Sequence, residues 1–382
     1  MSKMTAMLYP FSLSAASIPR YRHMISQFEL RALVSPIGLG LDGRDSGFVD
    51  EGAPTGMIVT CSFEDALADC DAVIAAEYEF EDNERFYGKV VQNLKLAMEK
   101  GKHVHCLLKL DSSLVTELEE HAKKYQITFI YYANPIYNSK PAYSKISYKK
   151  ILQPDSPVIT VLSLQQNCSK FEIQLAIRDA FIKKGFRVSQ IGSKHYCGMF
   201  GFHSFPGFMF GNQLDEETKI FALNQFIRDI EANEQPDVII IGVPGGFMRY
   251  NDRVINGFGI TAYEVGCTVM PDFTLLGIPC DIISDDYITL LAETLKYRNG
   301  MLMDCLYMSN IKINEDSMNE QAFLPLTYDV MPDDYLDMMM APYTGEPAPI
   351  YKVSDAISIS EKIYAQLTDG VSKVSYTVND ML

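Results

Sequence analysis

Ser169 and Lys170 stand in VLSLQQNCSKFEIQLAIRDAF, residues 161–181, where an apolar run, a short polar loop and an amphipathic pattern follow one another. A lysine at the start of a helix attracts an anion, because free backbone N–H groups and the helix dipole act with it. Phosphate-binding loops place G-x-x-x-x-G-K-[ST] at such a strand-to-helix turn. With the motif's lysine set on Lys170, Leu164 and Ser169 fall where the two glycines belong, and Phe171 replaces the hydroxyl residue that would hold Mg²⁺. The position suits phosphate and the residue types suit it only in part. A solvated lysine opening an ordinary helix is the alternative.

Further along, PDVIIIGVPGG carries four β-branched residues into Pro244, Gly245 and Gly246. This resembles the second phosphate-facing strand of the MinD, BioD and nitrogenase-iron-protein class of P-loop proteins, which ends in Asp before a Pro-Gly or Gly-Gly turn. Gly242 stands where the resemblance expects the aspartate that supports Mg²⁺. Both metal contacts are therefore missing. Ser169, Lys170, Pro244, Gly245 and Gly246 form the expected ligand-binding set, with ATP, GTP or coenzyme A as candidate ligands and no bound metal.

Between these strands, YCGMFGFHSFPGFMFGN gathers Phe200, Phe202, Phe205, Phe208 and Phe210 around His203 and Ser204. The segment is too short and aromatic for a linker. It is expected to form a binding surface for substrate or partner through His203, Ser204 and Phe205, with simple packing as the alternative. The following stretch, RYNDRVINGFGITAYEVG, supplies Asn251, Asp252, Arg253, Asn256 and Glu264 for recognition of a base or a carboxylate. His103 and His105, two apart on one face of an expected strand, are a possible metal pair without an evident third ligand; one face of a strand end is the alternative.

These residues need a scaffold, and the chain supplies alternating β and α patterns throughout. In residues 1–150 the expected elements are strand 4–9, helix SIPRYRHMISQF, strand ELRALVSP, strand 72–76, helix YGKVVQNLKLAMEKG ending on Gly101, strand HVHCLL, helix SLVTELEEHAKKY and strand ITFIYY. A second series begins after the Pro-, Ser- and Lys-rich stretch 133–157. It comprises strand 158–164, helix 170–184, strand 186–191, helix 216–232, strand 238–241 and further strands near 274–276, 280–283 and 302–308. Such alternation predicts parallel sheets covered by helices on both faces. The expected fold class is α/β with two parallel-sheet domains, a Rossmann-like one over 1–150 and a divergent P-loop domain of the SIMIBI-like kind over 151–330. Residues 331–382 form a C-terminal extension packing on the second domain, with a helix over 354–367. Met338 to Met340 offer either an adaptable docking patch or a buried contact.

The section CDAVIAAE to GKHVHCL resembles the end of a nucleotide-binding Rossmann domain. The first turn, YPFSLSAAS, lacks every glycine of G-x-G-x-x-G, so a scaffold without dinucleotide is expected; Ser12, Ser14 and Ser17 are left to offer hydroxyls to an anion.

Length and composition bound the remaining possibilities. The 382 residues are 47% hydrophobic, enough to bury two cores, and the net charge of −16 disfavours nucleic acid and anionic lipid as partners. No apolar run reaches membrane-spanning length and no signal-type segment opens the chain, so a cytoplasmic protein is expected. The eight cysteines are dispersed and never form C-x-x-C, which predicts reduced, mostly buried thiols.

The order SKFEIQLAIRDAF, GFRVSQIG, FGFHSFP, PDVIIIGVPGG and FGITAYEVG resembles a peptide maturation system protein of clostridial natural-product clusters. The resemblance implies an accessory role in maturing a ribosomally synthesised peptide, with a precursor peptide or an acyl-carrier-related protein as partner, and a homo-oligomer is also possible. It implies no reaction. Three readings follow: a binder of a nucleotide or other phosphorylated ligand through a degenerate P-loop; a pseudo-enzyme that binds precursor peptide or carrier protein; and an acyl or aminoacyl transferase holding coenzyme A or a carrier arm. A likeness to D-amino-acid N-acetyltransferases and dethiobiotin-synthetase-like ligases is one of fold arrangement only.

Overall fold

The computed structural model describes residues 3–78, 84–133, 150–281, 283–314, 316–317 and 326–369. The chain divides into two compact units, and the division in the middle of the chain falls between described residues 133 and 150. Residues 195–201, from the second half of the sequence, belong to the first unit.

The first unit is built on six parallel strands, β1 Met4–Tyr9, β2 Phe28–Val34, β3 Val59–Thr60, β4 Ala72–Ala75, β5 His103–Cys106 and β6 Phe129–Tyr131. Their order is β3-β2-β1-β4-β5-β6, the arrangement of dinucleotide-binding folds. Helices α1 Ser17–Arg20, α2 Phe63–Ala68, α3 Glu84–Glu99 and α4 Ser112–Tyr125 connect them. All four residues of β4 are buried, as expected of a parallel strand covered on both faces. At the turn after β1, Phe11 is fully buried and its N–H donates to Val34 O at 2.8 Å. That N–H is spent on the fold, and no glycine opens the turn to a pyrophosphate.

One sequence expectation changes here. The helix expected over SIPRYRHMISQF is one α-turn, Ser17–Arg20, followed by a 3₁₀ turn, Arg22–Met24; only Ile18 and Ile25 among its large apolar side chains are fully buried, too few for an amphipathic helix face. His103 and His105 are held by other partners: His103 Nδ1 accepts from Thr128 N at 3.1 Å, and His105 lies edge-on to Phe28. Burial, aided by His103, lowers the His105 pKa to about 4. Among the described residues no group of three His, Cys, Asp or Glu suits a metal ion.

The second unit holds a seven-stranded parallel sheet: β7 Val158–Ser163, β8 Val188–Gly192, β9 His203–Ser204, β10 Val238–Gly242, β11 Phe273–Ile278, β12 Cys305–Met308 and β15 Ile350–Lys352. The order is β15-β12-β11-β7-β10-β8-β9. A separate antiparallel pair joins β13 Ile311–Ile313 to β14 Tyr328–Val330. The helices are α5 Lys170–Lys183, α6 Glu216–Glu234, α7 Ile260–Thr268, α8 Asp285–Asn299, α9 Asp333–Met340 and α10 Ala356–Thr368. Alternate residues of the strands enter two cores. Ile239, Ile241 and Leu276 pack with α6, α7 and α8, whereas Ile240, Val161 and Leu275 pack with α5 and α10. This two-sided burial is why VIII reads as an unbroken apolar run.

The strand expected near 280–283 is absent at Cys280, Asp281 and Ile283: β11 stops at Ile278, and Pro279 has no N–H to extend the ladder. The helix Asp285–Asn299 takes the space instead, capped by Ser284 accepting from Tyr287 N and stopped by left-handed Gly300. Residues 331–369 add β15, paired in parallel with β12, and α10, packed with α5. Leu336 and Met339 are buried in the second unit and Met338 is exposed. Residues 370–382 and most of the expected linker lie outside the described residues. All eight cysteines are free thiols, six of them buried.

Candidate functional site

β7 is flanked by β10 on one side and β11 on the other, so the connections leaving the strands diverge at its carboxyl end. Such a switch point is where open α/β sheets bind ligands. Three segments meet there: the loop 164–169 after β7, the turn 243–247 after β10 and the end of β11. Leu164 N donates to Gly277 O at 2.7 Å, Val243 N to Val161 O at 3.0 Å and Phe247 N to Ser163 O at 2.9 Å.

Lys170 opens α5 at the centre of this arrangement. Its side chain is buried, and Nζ donates to Ser163 Oγ at 3.1 Å and to Gly245 O. Both partners are neutral, and among the described residues no carboxylate pairs with it. Burial lowers the Lys170 pKa to about 7; Cys168 opposes this slightly and Lys194 adds to it. Ser169, the cap of α5, has φ +48°. A left-handed residue directly before the lysine is what the motif's glycine ordinarily provides, and here a serine adopts it. Ser169 Oγ lies 2.9 Å from Ser309 Oγ, and Tyr307 OH donates to Cys168 O at 2.7 Å. Gly277 lets the Tyr307 ring pass, since a Cβ there would stand 2.3 Å from Tyr307 Cζ.

The loop thus fixed keeps donors in hand. Among the described residues no backbone carbonyl accepts from the N–H groups of Gln166, Asn167, Cys168 or Ser169. Gln165 is buried, and its Nε2 likewise has no partner among the described residues. Free N–H groups curling into a helix start, with a lysine beside them, make an anion-binding concavity.

The Gly245-Gly246 turn closes the other side. Gly245 has φ +75° and offers its carbonyl to Lys170. Asn256 Nδ2 donates to Leu164 O at 2.8 Å and Met248 O at 2.9 Å, tying the turn to the loop. Ser169, Lys170, Gly245 and Gly246 are thus brought together, with half-buried Pro244 in the same turn. Ser163, Gln165, Asn256 and Tyr307 also contribute. Asn256 was visible in the sequence only as one polar residue among glycines, and Tyr307 carried no local signal because it arrives from β12.

The metal implied by the P-loop class does not fit these residues. Phe171 presents a buried ring 6.4 Å from that of Phe202, and the space beside Gly242 is filled by Gln174, whose Oε1 would lie 1.9 Å from an added Cβ.

The other expected site residues lie elsewhere. Phe205 packs in the core with Phe208, and Phe200 and Phe202 are also buried, so of the five phenylalanines only Phe210 is exposed. Much of the expected binding surface is therefore interior, because β9 adds to the sheet edge and carries the segment inward. His203 sits on β9 with Nε2 2.5 Å from Glu234 Oε1, while Ser189 Oγ donates to the other carboxylate oxygen. A carboxylate between the serine and the histidine activates no nucleophile. Ser204 is paired opposite Gly192 in the sheet. Asp252 is 96% exposed and pairs with Arg249. Glu264 is buried on α7, and burial together with a hydrogen bond to Glu216 raises its pKa to about 8, against the opposing pull of Lys219.

The sequence matches no family model and no curated protein. Among solved structures, a DUF1611 family protein from Anabaena variabilis aligns over 96% of this chain and 100% of its own, at 10% identity and a TM-score of 0.63. A GTPase from Pyrococcus abyssi aligns over 56% of this chain and 98% of its own, at 11% identity and a TM-score of 0.29. The signal recognition particle 54 kDa protein from Aeropyrum pernix, solved with GDP, aligns over 75% of this chain and 66% of its own, at 12% identity and a TM-score of 0.32. The first of these likenesses is one of fold, and it spans both parallel-sheet α/β domains.

Proposed function

We propose that the turn 164–170 of the second domain binds the phosphate of a nucleotide or of coenzyme A. The observation that carries this reading is the buried ammonium of Lys170, whose hydrogen-bond partners among the described residues are the neutral Ser163 Oγ and Gly245 O. A buried charge without a counter-ion is costly, and a ligand anion supplies one. The N–H groups of residues 166–169, which no backbone carbonyl among the described residues accepts from, can donate to the same anion. In the setting suggested by the resemblance to peptide maturation proteins, the bound ligand serves an accessory role on a precursor peptide or carrier protein.

Thermal melts with ATP, GTP and coenzyme A test the reading. At a hundredfold excess over its dissociation constant, a true ligand stabilises by about 2.7 kcal/mol. Lys170→Ala should remove that gain. If no phosphorylated ligand shifts the wild type, or if the variant responds equally, the turn is an ordinary strand-to-helix connection. Nucleotide turnover should stay well below the roughly 1 to 1000 per second of typical enzymes, because both metal contacts are replaced. Several turnovers per second from the isolated protein would refute the assignment of Phe171 and Gly242 to those positions.

A further inference from the structure

A phosphate chain carries more negative charge than one lysine offsets, and P-loop proteins add a divalent cation to balance it. Both places that would support that cation are filled here. The Gln174 carboxamide occupies the room beside Gly242, with Cδ 2.1 Å from where a Cβ would be. It is fixed there by Nε2, which donates to Lys170 O at 3.0 Å, and by Oε1, which accepts from Ser193 N at 3.4 Å. Phe171 sets a buried ring at the other place. Positive charge is scarce as well. Residues 163–170, 242–248, 277–281 and 307–311 run out of β7, β10, β11 and β12 at their carboxyl ends, and Lys170 is the one Lys or Arg among them. The same segments hold one acid, Asp281, which accepts from Tyr250 OH at 3.4 Å. The cations that come next have partners: Arg249 pairs with Asp252, Arg253 donates to Ser317 O, and Lys312 donates to Tyr335 OH at 3.2 Å. Lys194, after β8, has an interaction of its own.

The hydrogen-bond donors, in contrast, match one phosphate group. Gln165 is 2% exposed, and its Nε2 is buried without an acceptor among the described residues, which costs stability until a ligand supplies one. The N–H groups of residues 166–169 have no backbone acceptor among the described residues. Lys170 Nζ carries one N–H beyond those given to Ser163 Oγ and Gly245 O. Together these suit the three free oxygens of a terminal phosphate, whose charge is about −1.5 to −2 at pH 7. We infer that the turn takes a phosphomonoester, a single terminal phosphate held without a divalent cation, and that Gln165 Nε2 donates to one of its oxygens. This rests on the phosphate reading above and narrows it. A triphosphate would bring charge beyond what one ammonium and a set of neutral donors offset.

The test is calorimetric titration with AMP, inorganic phosphate and tripolyphosphate, each in excess EDTA and in excess Mg²⁺. Wild type should bind AMP or phosphate with the same Kd in both media, and tripolyphosphate about tenfold more weakly or worse in EDTA. Gln165→Met keeps the length of the side chain and removes the donor. It should melt at or above the wild-type temperature, because no hydrogen bond of the fold is lost, and should weaken AMP or phosphate binding about tenfold, the size of one hydrogen bond to a charged group. Binding that requires Mg²⁺ overturns the inference and leaves the phosphate reading standing. The same holds if tripolyphosphate binds in EDTA as tightly as AMP and phosphate do. Absence of binding by every probe in both media overturns both. A Gln165→Met protein that binds as wild type, or that fails to fold, overturns the donor role of Gln165, while the comparison of probes on wild type decides the phosphomonoester by itself.

Discussion

Gly246 approaches Asn256 so closely that a Cβ on the glycine would lie 2.5 Å from Asn256 Nδ2 and 2.6 Å from the Leu164 carbonyl oxygen. Asn256 is itself left-handed at φ +51°, and Gly257, Phe258 and Gly259 follow at +56°, +55° and +69°. Left-handed Asn is tolerable, but left-handed Phe costs about 1 to 2 kcal/mol. The turn is held by the two hydrogen bonds of Asn256 and by Arg298, which donates to Phe258 O. Gly246→Ala should therefore destabilise the protein by about 1 to 3 kcal/mol, since backbone as well as side chain must move. Urea unfolding measures this. In a double-mutant cycle with Asn256→Ala, the two losses should fail to add by about 0.5 kcal/mol or more. A neutral Gly246→Ala would show that the turn and the loop are not locked together.

Lys170 links stability to pH in a defined direction. Its folded pKa of about 7 lies below its ordinary value of 10.5. Between these values the unfolded chain holds a proton that the folded one has released, so this group's contribution to stability rises with pH across that window. The slope is at most about 1.4 kcal/mol per pH unit. Buried acids such as Cys168, pushed up to about 12, slope the other way at high pH, so the difference between wild type and Lys170→Met is the informative quantity. The variant's stability advantage should be largest at pH 7 and below and should shrink by pH 10. A gap that stays constant with pH would mean that Lys170 keeps its proton in the apo fold. Ligand affinity should fall as pH rises above 7, because the anion favours the charged lysine.

Glu264 slopes oppositely. Its folded pKa of about 8 lies above the ordinary 4.5, through burial first and the Glu216 hydrogen bond second. The stability it contributes is fully present below pH 4.5 and is lost as pH rises toward 8. Glu264→Gln keeps the shape and removes the titration. It should stabilise the protein at pH 8 by on the order of 1 kcal/mol relative to wild type, and do so progressively less toward pH 5. Chemical unfolding at the two pH values checks this. An equal effect at both would mean that Glu264 does not titrate in the window.

The local features of the site were legible in the sequence and the long-range ones were not. Lys170, Ser169 and the Gly245-Gly246 turn are fixed by their distance from strands whose apolar runs are plain, and strand alternation was enough to predict two parallel sheets. The roles of Gln174 and Tyr307 depend on which strands neighbour β7, and sequence periodicity does not specify strand order. Glu264 and Asp252 are both acidic residues of the one stretch RYNDRVINGFGITAYEVG, yet one is buried and the other is 96% exposed. Glu264 is buried because α7 packs against α6, whereas Asp252 lies in the loop before α7, and that difference follows from the tertiary fold.

The phenylalanine segment is the clearest case of that limit, and it yields the last prediction. Composition alone permits a covering partner or a covering core. In the folded chain Phe205 and Phe208 lie with Leu223, Ile227 and Ile241 in one cluster, and Phe205 N donates to Gly192 O at 2.9 Å, continuing the edge of the sheet. Removing a buried Phe side chain costs about 3 to 5 kcal/mol, and serine adds an unpaired hydroxyl. A domain stable by roughly 5 to 15 kcal/mol cannot absorb two such losses with much margin. Phe205→Ser with Phe208→Ser should leave the second domain unfolded or melting far below wild type. Phe210→Ser, at an exposed position, should shift stability by no more than about 0.5 kcal/mol. Thermal melts followed by circular dichroism separate the two. A double variant that melts like wild type would return these rings to the surface and restore the segment as a docking site.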